Sequence, residues 1–245
     1  MRRIYSLLSV APFVCLSFIP LLCAQDPDPA DSAAIQNIQP VEPPDGISND
    51  RILGVIPNFQ TVSDPNQHVA PLTSRQKFKL FVKETIDPYT FASAAAGAGL
   101  SQISNGTPKY GYGTASYSQR LGAAYVDMAT QNFFSDYFLS TVLHEDPRYY
   151  RMGPSHSIPR RIYYSLTRLI VTKTDKGGTR FNFSGVGGMA MGIALSNAYY
   201  PDKSVSNSVT WGRFNSSMTS SALGNLLPEF WPDFKEKVAH WRHKQ

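Results

Sequence analysis

Two long stretches of this chain carry no charge and very little side-chain bulk. From Pro88 to Pro108 no residue is charged, and the run Ala92-Ser93-Ala94-Ala95-Ala96-Gly97-Ala98-Gly99 presents small side chains on every face. From Phe181 to Pro201 charge is again absent; Gly188 and Gly192 lie four apart, and Ala190, Ala194 and Ala198 form a second small-residue ridge. Such segments fold into helices that bring neighbouring backbones close together, because little stands between the ridges. Ala and Gly contribute little transfer free energy, so both stretches are weak as membrane spans. A polytopic membrane protein built on these two spans is the alternative they leave open.

Other helices are expected around them. Thr73 or Ser74 suits a helix cap, and Phe78, Phe81 and Val82 recur at helical spacing among Arg75, Lys77, Lys79 and Lys83. That pattern predicts an amphipathic basic helix ending near Ile86, packed on a core, with membrane-surface contact as the alternative. Asp87 followed by Pro88 reads as a cap and first helical residue. After the turn Tyr110-Gly111-Tyr112-Gly113, the longest helical stretch runs from Ser116 to Leu143. Arg120, Asp127 and Gln131 share a stripe on it that continues into Phe134 and Phe138. A helix apolar over so much of its circumference belongs at the centre, and Pro147 ends it. Ser157 caps a further helix carrying Tyr163, Leu166, Leu169 and Ile170, and Thr172 to Arg180 reads as a polar turn. Ser184 caps the second charge-free helix, and a last helix spans Val205 to Leu227 before Pro228 and Pro232 break it. Period-two alternation is not sustained over several segments. The fold class is therefore all-α, a single helical domain of about six helices.

The N-terminus reads as an address. Arg2 and Arg3 precede an apolar stretch from Ile4 to Leu22, and Ala24 offers a small residue for cleavage, so residues 1–24 form a secretory signal peptide. Lipid attachment at Cys23 and retention as an uncleaved anchor are the rival readings; Leu22 disfavours the first, Pro12 and Pro20 the second. Cys15 and Cys23 both fall in this segment, so the mature chain has no thiol. Disulfide scaffolds, thiol catalysis and cysteine metal sites are excluded for it. Residues 25–50 contain six Asp or Glu, no Lys or Arg, and five prolines, the composition of a disordered acidic leader. From Arg51 onward 21 basic face 12 acidic side chains, a net of +9. The expected organisation is signal peptide 1–24, leader 25–50, helical domain 51–234 and basic tail 235–245.

Few residues suggest chemistry. His144, Glu145 and Asp146 are adjacent, and on a continuing helix they would point about 100° apart, too divergent to share one metal or form a catalytic set. Their bland role is to end a helix and pair with Arg148 or Arg151. Pro154-Ser155-His156-Ser157 lacks the glycine of a lipid phosphatase element, and Gly185-Val186-Gly187-Gly188 lacks the spacing of a dinucleotide loop. Asn105, Asn182 and Asn215 lie in glycosylation sequons, which matter only in a eukaryotic host. The stronger signal is a basic segment. Arg148, Arg151, Arg160, Arg161, Arg168, Lys173, Lys176 and Arg180 are opposed only by Asp175, a net of +7 in 33 residues, with Tyr149, Tyr150, Tyr163 and Tyr164 interleaved. Arg forks suit phosphate and Tyr suits an apolar boundary, so Arg148, Arg151, Arg160, Arg161 and Arg168 are the candidate anion- or lipid-binding residues. For an exported protein the abundant anion is lipid headgroup or lipopolysaccharide phosphate rather than nucleic acid.

Several strings together, Asn49-Asp50-Arg51-Ile52-Leu53-Gly54, Lys77-Phe78-Lys79-Leu80-Phe81, Asp146-Pro147-Arg148-Tyr149-Tyr150, Phe181-Asn182-Phe183-Ser184, Asn197-Ala198-Tyr199-Tyr200-Pro201 and Glu229-Phe230-Trp231-Pro232-Asp233, carry a resemblance over residues 49–234. The chain resembles an uncharacterised family of exported Gram-negative bacterial proteins with no established function. The resemblance implies an envelope context, periplasmic or outer-membrane associated, and supplies no catalytic residues. The expected function is a non-enzymatic envelope protein that binds anionic lipid or lipopolysaccharide, without cofactor or metal. The alternatives are an envelope hydrolase or transferase using His144, Glu145 or Asp146, and the polytopic protein above.

Overall fold

Backbone contact between small residues sets the packing of the helical body. In a computed structural model, residues 47–64 and 69–242 are described. The signal peptide and leader residues 25–46 lie outside the described residues, as does the end of the basic tail. The described residues are mostly helical and belong to one compact unit. Helices α1 (Ser74–Thr85), α2 (Pro88–Ser104) and α3 (Thr114–Asn132) come first. The third continues without a break through a π-helical segment, Phe133–Leu139, to Val142. Then follow α4 (Ile158–Thr167), α5 (Phe183–Ser196), α6 (Asn207–Gly224) and α7 (Leu226–Arg242). As its sequence predicts, α3 with its π segment is central, packing against α1, α2 and α5.

The Gly188/Gly192 ridge works as expected. A Cβ at Gly188 would stand 2.4 Å from the backbone N of Ser135, and one at Gly192 would stand 2.6 Å from Cγ of Gln131. Thus α5 lies directly on the backbone of α3 and its π segment. In α2 the pattern resolves differently. Ala94 and Ala98 are buried, whereas Gly97 and Gly99 face open space.

Most helix starts follow from their caps. Thr73 and Gln76 form a capping box at α1, and Asp87 accepts from the Tyr89 N–H at 2.9 Å with Pro88 in the first turn of α2. At α5 the cap is Asn182 rather than Ser184, its Oδ1 accepting from Gly185 N at 2.7 Å. The end of the chain also differs from expectation. Pro228 falls in the first turn of α7, where no intrahelical N–H is lost, and Pro232 is carried inside a helix that continues to Arg242.

Short strands accompany the helices that make up most of the described residues. β1 (Arg51–Ile52) and β2 (Ile56–Pro57) form a hairpin; β3 (Thr61–Val62) runs parallel to β5 (Tyr149–Tyr150). β4 (Glu145–Asp146), β6 (Val171–Thr174) and β7 (Thr179–Phe181) form an antiparallel sheet in the order β4-β6-β7. The segment expected as a polar turn is therefore a hairpin, and its β-branched residues flanking Gly177-Gly178 are the strand signal. The two-residue strands are too short to produce alternation. Residues 47–50, assigned to the leader, belong to the body. Ile47 packs with Phe59, Leu72 and Leu80 in the apolar core, and Lys83 donates to the Ser48 carbonyl at 2.7 Å.

The interior is unusually charged. Among the most deeply buried large side chains Leu80 is joined by Arg120, Lys77, Glu145, Glu229 and Asp146. Lys77, expected on a solvated face, donates to the carbonyls of Ser140 and Glu145 and to Asp175. Arg120 reaches under the C-terminus of α2 with no carboxylate partner among the described residues. It donates to Gln102 and Asn105 at 2.9 and 2.7 Å, to Ser101 Oγ, and to the carbonyls of Gly106, Pro108 and Gly111. No helix of the described residues is long and apolar enough to cross a membrane.

Because the contact at Gly188 is with backbone, Gly188→Ala should lower unfolding stability by about 1–3 kcal/mol in urea titration. Gly97→Ala, in open space within α2, should raise it by about 0.5–1 kcal/mol.

Candidate functional site

The basic segment has two opposite sides. Its inward side is an ion-pair clamp supplied by α7. Glu229 and Asp233 lie four residues apart and therefore on one helical face. The Glu229 carboxylate is fully buried; it accepts from Arg161 Nε at 2.7 Å, Tyr149 OH at 2.8 Å, Met152 N at 3.0 Å and Gly153 N at 3.1 Å. Its carbonyl accepts from Arg151 Nε at 2.9 Å and Arg161 Nη2 at 2.8 Å. Asp233 bridges the same two guanidinium groups. Burial opposes the charge on Arg161, but its bonds to Glu229 and Asp233 outweigh this and raise its pKa. Burial likewise pushes the Tyr149 phenol up, with the Glu229 charge adding to it.

The candidate anion-binding residues are therefore divided. Arg148, Arg151 and Arg161 are buried and matched by carboxylates, so they present no free face to a lipid surface. Only Arg160 is fully exposed, and Arg168 lies half-buried over the Tyr164 ring at 4.6 Å. The correction has a simple cause. Burying several arginines demands local acid: Asp146 supplies it to Arg148 from two residues away, whereas Glu229 and Asp233 supply it to Arg151 and Arg161 from 68 to 82 residues away.

His144, Glu145 and Asp146 do not converge. The strand β4 sends Glu145 and Asp146 to opposite faces. Glu145 accepts from Arg180 Nε at 2.6 Å and from Ser184 N at 2.7 Å, at the start of α5. Asp146 accepts from Arg148 Nε and Nη2 at 2.9 and 2.6 Å and from Tyr150 OH at 2.7 Å. The bland pairing with Arg148 is thus the observed one. His144 has a left-handed backbone (φ 54°) and a side chain 81 % exposed. The acid–base set expected of a hydrolase is not assembled by these three.

The outward side is apolar. Arg161 and Ser165 face inward from α4, while Ile158, Ile162, Tyr163 and Leu166 face solvent. Ile170 follows and is also exposed; Val171, beside it, pairs with Phe181, whose ring meets that of Phe183 at 4.8 Å. Both phenylalanines are exposed.

Beneath this segment lies a polar cavity of about 370 Å³, walled by β5, β6, the π segment and the N-terminal turn of α5. Arg148, Arg168 and Lys173 line it, with Asp136 and Gln60 also in the wall. Gln60 Nε2 donates to Glu84 at 2.7 Å and to Asp136 at 3.1 Å, bridging two carboxyl groups. Burial raises the Asp136 pKa to about 6, against hydrogen bonds from Ser135 and Gln60 that lower it. Glu84 is pushed well up, by burial and then by the charge of Asp136. Sequence reasoning placed Lys173 in the basic cluster but missed Gln60, Glu84 and Asp136 as members of a site, since they come from separate segments.

Glu229→Gln should cost about 3 kcal/mol in chemical denaturation, since buried Arg161 then keeps Asp233 as its single carboxylate partner. Asp136 binds its proton more tightly folded than unfolded, where 3.8 is the ordinary value. Its stabilising contribution is full below pH 3.8 and disappears as the pH rises through about 6. Asp136→Asn should therefore flatten the fall in Tm across that window, which a series of thermal melts at constant ionic strength would measure. Compared with family models, curated proteins and solved structures, this chain finds no match in any of the three.

Proposed function

We propose that this chain is an exported, non-enzymatic protein of the bacterial envelope that rests on an anionic membrane surface through the outward face of α4 and the Phe181/Phe183 pair. The observation that supports this most is the inversion of α4, whose charged side is buried and whose apolar side meets solvent. Each large apolar side chain left in water forgoes roughly 1.5–3 kcal/mol of burial. A helix of this kind sinks its apolar face into the boundary between headgroups and acyl chains, while adjacent cations meet lipid phosphate.

Charge selects the occupant of this face. Between Pro147 and Pro201 the only acidic residue is Asp175, and it is held by Lys77. Arg160 is exposed on α4, and Arg180 lies beside the Phe183 ring at 5.7 Å. A second copy of the chain would set like charge against like charge, whereas an anionic bilayer is complementary. The reading keeps the expected lipid partner and transfers recognition from buried arginines to an apolar face with a cationic edge. The signal peptide read from residues 1–24 supports the envelope location.

Arg161 is unsuitable as a probe, since its loss would break the clamp. Ile162→Asp and Leu166→Asp lie on the solvent side and should leave the fold intact. Co-sedimentation with phosphatidylglycerol vesicles should weaken at least tenfold in the double variant and decline with added salt. Binding unchanged by both substitutions would refute the reading, as would a concentration-dependent dimer of the chain that the same substitutions abolish.

A further inference from the structure

We propose that the cavity beneath the basic segment is a binding site for a phosphate monoester, held by Lys173 and Arg168 with Arg148 at its wall. Arg148 is neutralised by Asp146, with which it shares three hydrogen bonds. Arg168 and Lys173 line the same cavity and have no carboxylate within ion-pair distance among the described residues. Lys173 Nζ rests 3.8 Å from the centre of the Tyr150 ring instead. Burial lowers the Lys173 pKa, and the charges of Arg168 and Arg148 lower it further against the pull of Asp146. The protein thus holds like charges together in a partly desolvated space, an arrangement that an anion among them would relieve.

Charge specifies the anion. Lys173 and Arg168 place two cations without a carboxylate partner among the described residues in one cavity, which suits the two negative charges of a phosphate monoester better than the single charge of a carboxylate. A cavity of about 370 Å³ admits the phosphate with a modest organic group attached. Asp136 stands in the same wall, and it is the only acidic residue there. The ester oxygen can belong to a soluble metabolite or to a lipid headgroup; the recognition chemistry is the same.

Isothermal titration of the full chain with inorganic phosphate, at matched ionic strength in chloride, tests the site without any membrane present. Its failure is therefore separable from a failure of vesicle docking. Saturable binding is expected, with Lys173→Gln and Arg168→Gln each weakening it tenfold or more, Lys173→Arg retaining it, and Lys203→Gln, on an exposed turn, leaving it within twofold. Thermal melts identify any variant that has lost its fold, and Arg168→Gln carries the comparison if Lys173→Gln has. Phosphatidic acid vesicles that bind in a Lys173-dependent way and are displaced by phosphate would identify a lipid-borne ester; phosphate binding with indifference to those vesicles would identify a soluble one. Absence of saturable phosphate binding, equal binding by the Gln variants, or equally strong binding of acetate would overturn the proposal.

Discussion

The carboxylate of Glu229 is the point on which the C-terminal half of the fold depends. It joins α7 to α4 through Arg161, to β5 through Tyr149, and to the following loop through two backbone N–H groups. Arg161, Tyr149 and Gly153 are buried, and Met152 is half-buried. A buried ion pair contributes little net stability compared with a well-packed apolar alternative, but removing one partner is severe. What the clamp supplies is direction. It turns the charged side of α4 inward and so forces Ile158, Ile162, Tyr163 and Leu166 outward. The proposed membrane face is a consequence of where the acids are.

The rest of the body repeats this inversion with different chemistry. Lys77 is held by carbonyls and Asp175, and Glu145 by Arg180 and the first turn of α5. Meanwhile Phe91, Leu100 and Ile103 of α2 and Met191 and Leu195 of α5 are exposed. Helix packing joins aromatic contacts between α1 and the π segment, Phe78 on Tyr137 at 5.0 Å and Phe81 on Phe133 at 5.6 Å, to close backbone approach, as at Gly188 against Ser135 beneath α5. A body assembled this way can place polar groups inside, because small-residue contacts leave room for hydrogen-bonded charge between them.

How much of this could be read from the sequence depended on how local the signal was. The caps at Thr73 and Asp87, the central position of α3 and the Gly188/Gly192 ridge follow from spacing within one turn or a few, and they appear as expected. The strands did not declare themselves, because two-residue pairings leave no period. Pro228 misled for a related reason: a proline ends a helix or begins one, and only the next turn of chain decides. The candidate site was the least legible part. Arg151 and Arg161, which read as anion-binding residues, are buried by acids 68 to 82 residues away, a pairing no local pattern encodes. The cavity is more distant still, since Gln60, Asp136 and Lys173 come from three unrelated segments.

Arg120 completes the picture by contrast with Arg161. Both are deeply buried guanidinium groups that lock one helix to its neighbours, but Arg161 is answered by carboxylates and Arg120 by neutral carbonyl, amide and hydroxyl oxygens. The α4–α7 joint therefore hangs on two side chains of a single helix. The α2–α3 joint is spread over six oxygens, and the three that are main-chain carbonyls are beyond the reach of any side-chain substitution.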